Sequence, residues 1–181
     1  MAGKPGEPTP ELKTQRIYIP LVDNLTTKTG VEAQITTALR ETLSGVKGAR
    51  VVASESEADY LLLGVLTRYS RSAGSNPITG SETSEKRGGL LENESMAQEL
   101  RVTLSLEARL LERSPSATGM RRVVWTRNFT ESASYTASSR FTERAGSSSA
   151  VHLNNSREMI RVKSISEAIA QKILDQVAQD F

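Results

Sequence analysis

The chain has 181 residues, of which 37% are hydrophobic and 4% aromatic, with a formal net charge of +2 and no cysteine. That is enough chain for one domain with a real core, and it excludes a disulfide framework and any thiolate site. A sequence pI of about 9.0 is too mildly basic to argue for nucleic acid by itself, and no apolar run approaches the roughly 20 residues of a membrane-spanning helix.

Met1 leads directly into Ala-Gly-Lys-Pro-Gly-Glu-Pro-Thr-Pro. Pro and Gly at this density oppose regular structure, so residues 1–15 are expected to be a flexible tether and residues 16–181 a single domain. Arg16 to Val22 reads as a short strand, with Pro20 suited to an edge or a strand end. A polar loop, Asp23 to Gly30, follows. Thr29 with Glu32 matches a capping box. The helix behind it runs to about Ser44, with Val31, Ile35, Ala38, Leu39 and Leu43 on one face. Gly45 and Gly48 stop it.

Ala49 to Ser54 is a short strand, and Asp59 to Arg71 a long one. On a strict period of two, Leu61, Leu63, Val65 and Tyr69 share one side of the long strand. Tyr60, Leu62, Leu66 and Arg68 share the other, with Gly64 among them as a point of close approach or a bulge. Ser72 to Gln98 is a long polar loop, a type that is usually functional or disordered.

The clearest element is Glu99 to Arg113. Leu100, Val102, Leu104, Leu106, Ala108 and Leu110 alternate with Arg101, Thr103, Ser105, Glu107 and Arg109. This is a strand with one buried face and one polar face. A turn at 114–119 makes the next strand, Arg121 toward Tyr135, its antiparallel hairpin partner. Val123, Trp125 and Phe129 share a face there; Arg127 falls on it too unless a bulge intervenes. Thr136 to Asn154 is a second polar loop. Asn155 and Glu158 mark a helix start, and the final helix carries Ile165, Ile169, Ile173 and Val177 with Ala168 beside them.

This order predicts an α+β fold: a mixed, mainly antiparallel sheet of four to five strands with two helices packed on one face. The opposite face is uncovered within the chain, and Leu62 and Leu66 are expected to point toward it.

No catalytic set is visible. His152 is the sole histidine, it sits in a polar stretch, and no Ser or Asp has a motif context around it. The reading is therefore a non-enzyme with no metal and no cofactor. Arginines carry more interest. Arg68 and Arg71 end one strand, Arg101 and Arg109 lie on the polar face of the next, and Arg121, Arg122 and Arg127 start the third. Brought together on the uncovered face, they would attract phosphate through charge-assisted bonds. The plainer alternative is a solvated face with cross-strand Arg–Glu pairs, Glu107 for instance.

Several segments, in this order, resemble the lipopolysaccharide-assembly lipoprotein family LptE. Ile17-Tyr-Ile-Pro-Leu-Val-Asp-Asn24 with Thr29-Gly30-Val31-Glu32 is similar to its first strand and helix start. Ile35 to Arg40 continues the helix. Ala58-Asp59-Tyr60-Leu61-Leu62-Leu63-Gly64 with Tyr69 resembles its long strand, and Leu100 to Leu111 with Trp125, Phe129 and Tyr135 its hairpin. Ala168-Ile169-Ala170 with Ile173-Leu174 resembles its closing helix.

The resemblance implies a lipoprotein on the periplasmic side of the outer membrane that plugs the LptD β-barrel and helps deliver lipopolysaccharide. The implied partners are the barrel, lipopolysaccharide, and the membrane through an N-terminal lipid anchor, with no nucleic acid. The family's lipid-bearing cysteine is absent from this chain, which is then expected to start after it. No lipopolysaccharide-contacting motif transfers, so Arg68, Arg71, Arg101, Arg109, Arg122 and Arg127 stand as contact residues on the strand argument alone. Two alternatives are another outer-membrane lipoprotein, such as an activator of cell-wall synthases, and a hydrolase with a carboxylate site.

Overall fold

The computed structural model describes residues 14–46, 48–77, 97–113, 121–138 and 148–180. The expected tether up to residue 13, the turn after Arg113 and the middle of both polar loops lie outside the described residues. The elements are β1 (Gln15–Tyr18), β2 (Asp23–Asn24), α1 (Val31–Ser44), β3 (Ala49–Val52), a single 3-10 turn (Glu55–Glu57), β4 (Tyr60–Pro77), β5 (Ala97–Arg113), β6 (Arg121–Ser138) and α2 (Ser148–Asp180).

The sheet runs β3-β1-β4-β5-β6, and the two-residue β2 pairs with β4 to make it six-stranded. β1 is parallel to both β3 and β4, whereas β4, β5 and β6 form an antiparallel meander. The α+β class with two helices over a mixed sheet is as the sequence predicts. The added strand comes from Asp23 and Asn24, read above as loop, which pair with Val65 and Leu66.

Both helices cover one face. The even-numbered residues of β5 point at them: Val102, Leu104, Leu106 and Leu110 are fully buried, and Leu100 packs partly buried against the same core. α1 adds Val31, Ile35, Ala38, Leu39 and Leu43. α2 adds Val162, Ile165, Ile169, Ala170, Ile173 and Val177, one stripe at helical spacing. Ala170, not the expected Ala168, takes the buried position.

Three local expectations are corrected. First, Leu62 and Leu66 do not face the uncovered side: they are 1% and 0% exposed inside the helix-covered core. The register slips between Leu66 and Arg68, leaving Thr67 as an extra residue. A bulge reverses which face the later residues occupy. Hence Leu62, Gly64 and Leu66 face the helices before it, and Tyr69 and Arg71 face them after it. Leu61, Leu63, Val65 and Arg68 look outward.

Second, the capping box is only half formed. Gly30 stands at the N-cap in the left-handed region (φ 89°), with no side-chain cap. Glu32 Oε1 accepts from the Gly30 N–H at 3.0 Å, and Oε2 accepts from Asn24 Nδ2 at 2.8 Å. Its own N–H and that of Gly30, with Asn24, hold this carboxyl below its usual range.

Third, α2 already runs from Ser148, so Asn155 and Glu158 are interior rather than a helix start. His152 becomes an exposed helix residue.

Close packing under β4 explains Gly64. A Cβ there would meet Val22 Cγ2 at 2.9 Å and Leu106 Cδ1 at 3.5 Å. Thr36, 3% exposed, is satisfied inside the core: it accepts from the Val22 N–H at 3.0 Å and donates to the Glu32 carbonyl at 2.7 Å.

Candidate functional site

No element covers the second face of the sheet among the described residues, and cross-strand register orders that face into rows. One row is apolar: Val52, Tyr18, Leu61, Leu111 and Val123 sit opposite one another across β3, β1, β4, β5 and β6. Leu63 and Val65 extend it along β4. Val123 is 53% exposed, Tyr18, Val52 and Leu111 are half-buried, and Leu61 at the centre is 7% exposed. One end of this belt is bounded by arginines: Arg50 opposite Arg16, and Arg113 opposite Arg121. Arg109 sits opposite Leu63, beside that extension; beyond it lie Arg68 beside Ser105, then Arg101 between Ser72 and Ser134.

Some of these cations are already engaged. Arg16 makes a two-pronged pair with Asp59, at 3.0 Å through Nε and 2.9 Å through Nη2. Arg121 pairs with Glu55 at 2.6 Å, and Arg113 donates to the Ser56 carbonyl at 2.6 Å. Arg109 pairs with Glu107 on its own strand at 2.5 Å. Arg50, Arg68 and Arg101 are exposed and hold no ion pair among the described residues.

Of the arginines singled out in the sequence, Arg68, Arg101 and Arg109 therefore share the uncovered face. They are spread along it: Arg101 and Arg109 are about 27 Å apart at the strand rise of about 3.4 Å per residue. The other three stand on the helix side. Arg122 is opposite Glu112, and Arg127 is opposite the buried Ala108. The bulge in β6 falls between Val123 and Trp125, so it separates those two and leaves Arg127 in line with Trp125 and Phe129. The two rings meet edge to face, centroids 6.5 Å apart.

Arg71 belongs to a charged cluster that the sequence reading missed. Glu158, 1% exposed on α2, accepts from Lys28 Nζ at 2.6 Å, Arg71 Nη1 at 3.1 Å and the Tyr135 hydroxyl at 3.3 Å, and also from the Tyr69 hydroxyl. Lys28 lies 5.6 Å from the centre of the Tyr69 ring. Burial pushes the Glu158 carboxyl up, but the bonds from Lys28, Tyr69 and Arg71 outweigh it and hold it at about 2. Burial, with Glu158 next to them, pushes both phenols up. A signal for this cluster was present: Glu158 precedes Val162 by one turn on the apolar stripe of α2, a core position filled by a carboxylate.

Among the described residues no group of His, Asp and Glu is placed to hold a metal ion. No helix there is long and apolar enough to cross a membrane.

The architecture thus defines an α+β domain with two helices on one face of a six-stranded mixed sheet and no element over the other face among the described residues. A family model described as "LptE: Lipopolysaccharide-assembly" matches residues 14–181. The chain belongs to the LptE family, whose members are lipopolysaccharide-assembly lipoproteins. No curated protein matches its sequence.

Among solved structures, a hypothetical protein from Chlamydia trachomatis is similar at TM-score 0.50 and 9% identity, over 91% of this chain and 95% of that one. A minor lipoprotein from Acinetobacter baumannii is similar at 0.40 and 14%, over 92% of each chain. The lipoprotein GNA1162 from Neisseria meningitidis is similar at 0.42 and 13%, over 91% of this chain and 99% of that one. At such identities the likeness concerns the fold alone.

Proposed function

We propose that the chain works by binding rather than catalysis, seating in the LptD β-barrel and meeting lipopolysaccharide with its uncovered sheet face. The observation that carries this reading is the row Val52–Tyr18–Leu61–Leu111–Val123 with arginines on both sides of it. Lipopolysaccharide pairs acyl chains with phosphates. An apolar belt suits the first, and Arg68, Arg101 and Arg109 suit the second. In this reading the natural protein carries a lipidated cysteine ahead of the tether, which holds it to the periplasmic side of the outer membrane. Arg71 serves the Glu158 cluster, so its contribution is to hold the sheet in place. Arg122, exposed on the other side, is a contact for the barrel wall.

The test is the double reversal Arg101→Glu with Arg109→Glu, scored separately for lipopolysaccharide binding and for barrel co-purification. Loss of lipopolysaccharide binding, with affinity in the parent falling as salt rises, supports the lipid role. Loss of co-purification alone assigns the face to the barrel. If both survive in a folded variant, these arginines are a solvated face and the site fails. Recovery of a cell-wall synthase in place of the barrel would favour the activator reading. His152→Ala is expected to change neither readout.

A further inference from the structure

β6 is the last strand of the sheet, and among the described residues no strand pairs with its outer edge. Long edge strands are ordinarily blunted by Pro, charged side chains, a bulge or simple shortness, because an unpaired row of N–H and C=O groups recruits another strand. From Trp125 to Ser138 the only such device is one charge of each sign, Arg127 and Glu131. The segment contains no Pro, Lys or Gly, and its register with β5 is unbroken from Leu110 opposite Trp125 to Ala97 opposite Ser138. The free stretch has clear ends. The bulge at Val124 closes one, and Arg157 Nη1, donating to the Thr136 carbonyl at 2.7 Å, closes the other.

We infer that this edge pairs with β6 of a second copy of the chain, antiparallel about a two-fold axis through Phe129. Charge selects the register. Arg127 and Glu131 lie on the same face, on either side of Phe129, so pairing centred there sets each copy's Arg127 opposite the other's Glu131. Phe129 then meets Phe129, Trp125 meets Ala133, and the ladder stays inside both ends of the free stretch. Centring on Arg127 or on Glu131 would oppose like charges. Centring on Asn128 or Thr130 would set Glu131 against Trp125 or Phe129. The group facing Glu131 from α2 is Lys172, bonded to Oε1, which leaves Oε2 for the incoming guanidinium. The contact is isologous, so it closes at two copies and does not propagate into a fibre.

The experiment is sedimentation equilibrium on the full chain, two charge-reversal variants and their mixture, with oxidative cross-linking of two cysteine variants. The parent should dimerise reversibly. Arg127→Glu and Glu131→Arg should each weaken the dimer by about tenfold or more, since two symmetric attractions become repulsions. An equimolar mixture of these two variants should recover it, because every cross-strand pair is then complementary. The chain has no cysteine, so Phe129→Cys should cross-link to itself on oxidation while Ser132→Cys should not.

A parent that stays monomeric at every concentration overturns the inference. So does a dimer indifferent to both charge reversals. A chain that is monomeric alone, but whose Arg127→Glu variant loses the barrel, gives the edge to the barrel and overturns the second-copy reading.

Discussion

Lys28 Nζ lies 2.6 Å from Glu158 Oε1 although 130 residues separate them along the chain. The contact ties the loop before α1 to the first half of α2, and Arg71, Tyr69 and Tyr135 fasten the same carboxylate to β4 and β6. α2 spans 33 residues, about 50 Å of helix. Its apolar stripe begins at Val162, so this cluster extends its attachment to the sheet beyond the hydrophobic core.

Removing the carboxylate is therefore costly. Glu158→Ala should destabilise the fold by about 2–4 kcal/mol, because two buried or half-buried phenols and two cations lose a shared acceptor. The figure sits below that of a fully buried ion pair, since Lys28 and Arg71 keep contact with water, their side chains being 35% and 53% exposed. A urea midpoint with an unchanged slope would measure it.

The same group sets an acid dependence. The Glu158 pKa is depressed in the fold from 4.5 to about 2. Its contribution is therefore complete above the unfolded value and is lost as pH falls through the folded one. Stability should decline between about pH 4.5 and pH 2 on this account, and Glu158→Gln should remove that part of the slope. Urea melts across this range for parent and variant test it.

Gly64 is a packing requirement rather than a turn. Gly64→Ala should cost about 1–3 kcal/mol, because the new methyl overlaps a buried Val22 that has little room to move. Adding Val22→Ala should restore part of the loss. A double-mutant cycle with no coupling would show that the clash is not the cause.

Leu104 is fully buried under the helices. Leu104→Ala should cost about 2–5 kcal/mol. Its neighbour Thr103 points to the uncovered face, and Thr103→Ala should change stability by no more than about 0.5 kcal/mol. Equal costs at the two positions would contradict the one-sided burial of β5.

Alternation along Glu99–Arg113 and the helical spacing of Ile35, Leu39 and Leu43 or Ile165, Ile169 and Ile173 determined two helices on one face of a sheet. They did so because burial periodicity is a local property of each element. Three things needed the tertiary structure. An added residue in one strand is recognisable only against its partner, so the bulge at Thr67 and the true faces of Leu62, Leu66 and Arg71 were invisible to a period-two reading. The row Val52–Tyr18–Leu61–Leu111–Val123 draws one residue from each of five strands, and only strand order and register can align them. Glu158 stood on the apolar stripe in plain sight, but a buried carboxylate is tolerable only with partners. Those partners come from segments remote along the chain, brought within hydrogen-bond distance when the sheet and helices close on one another.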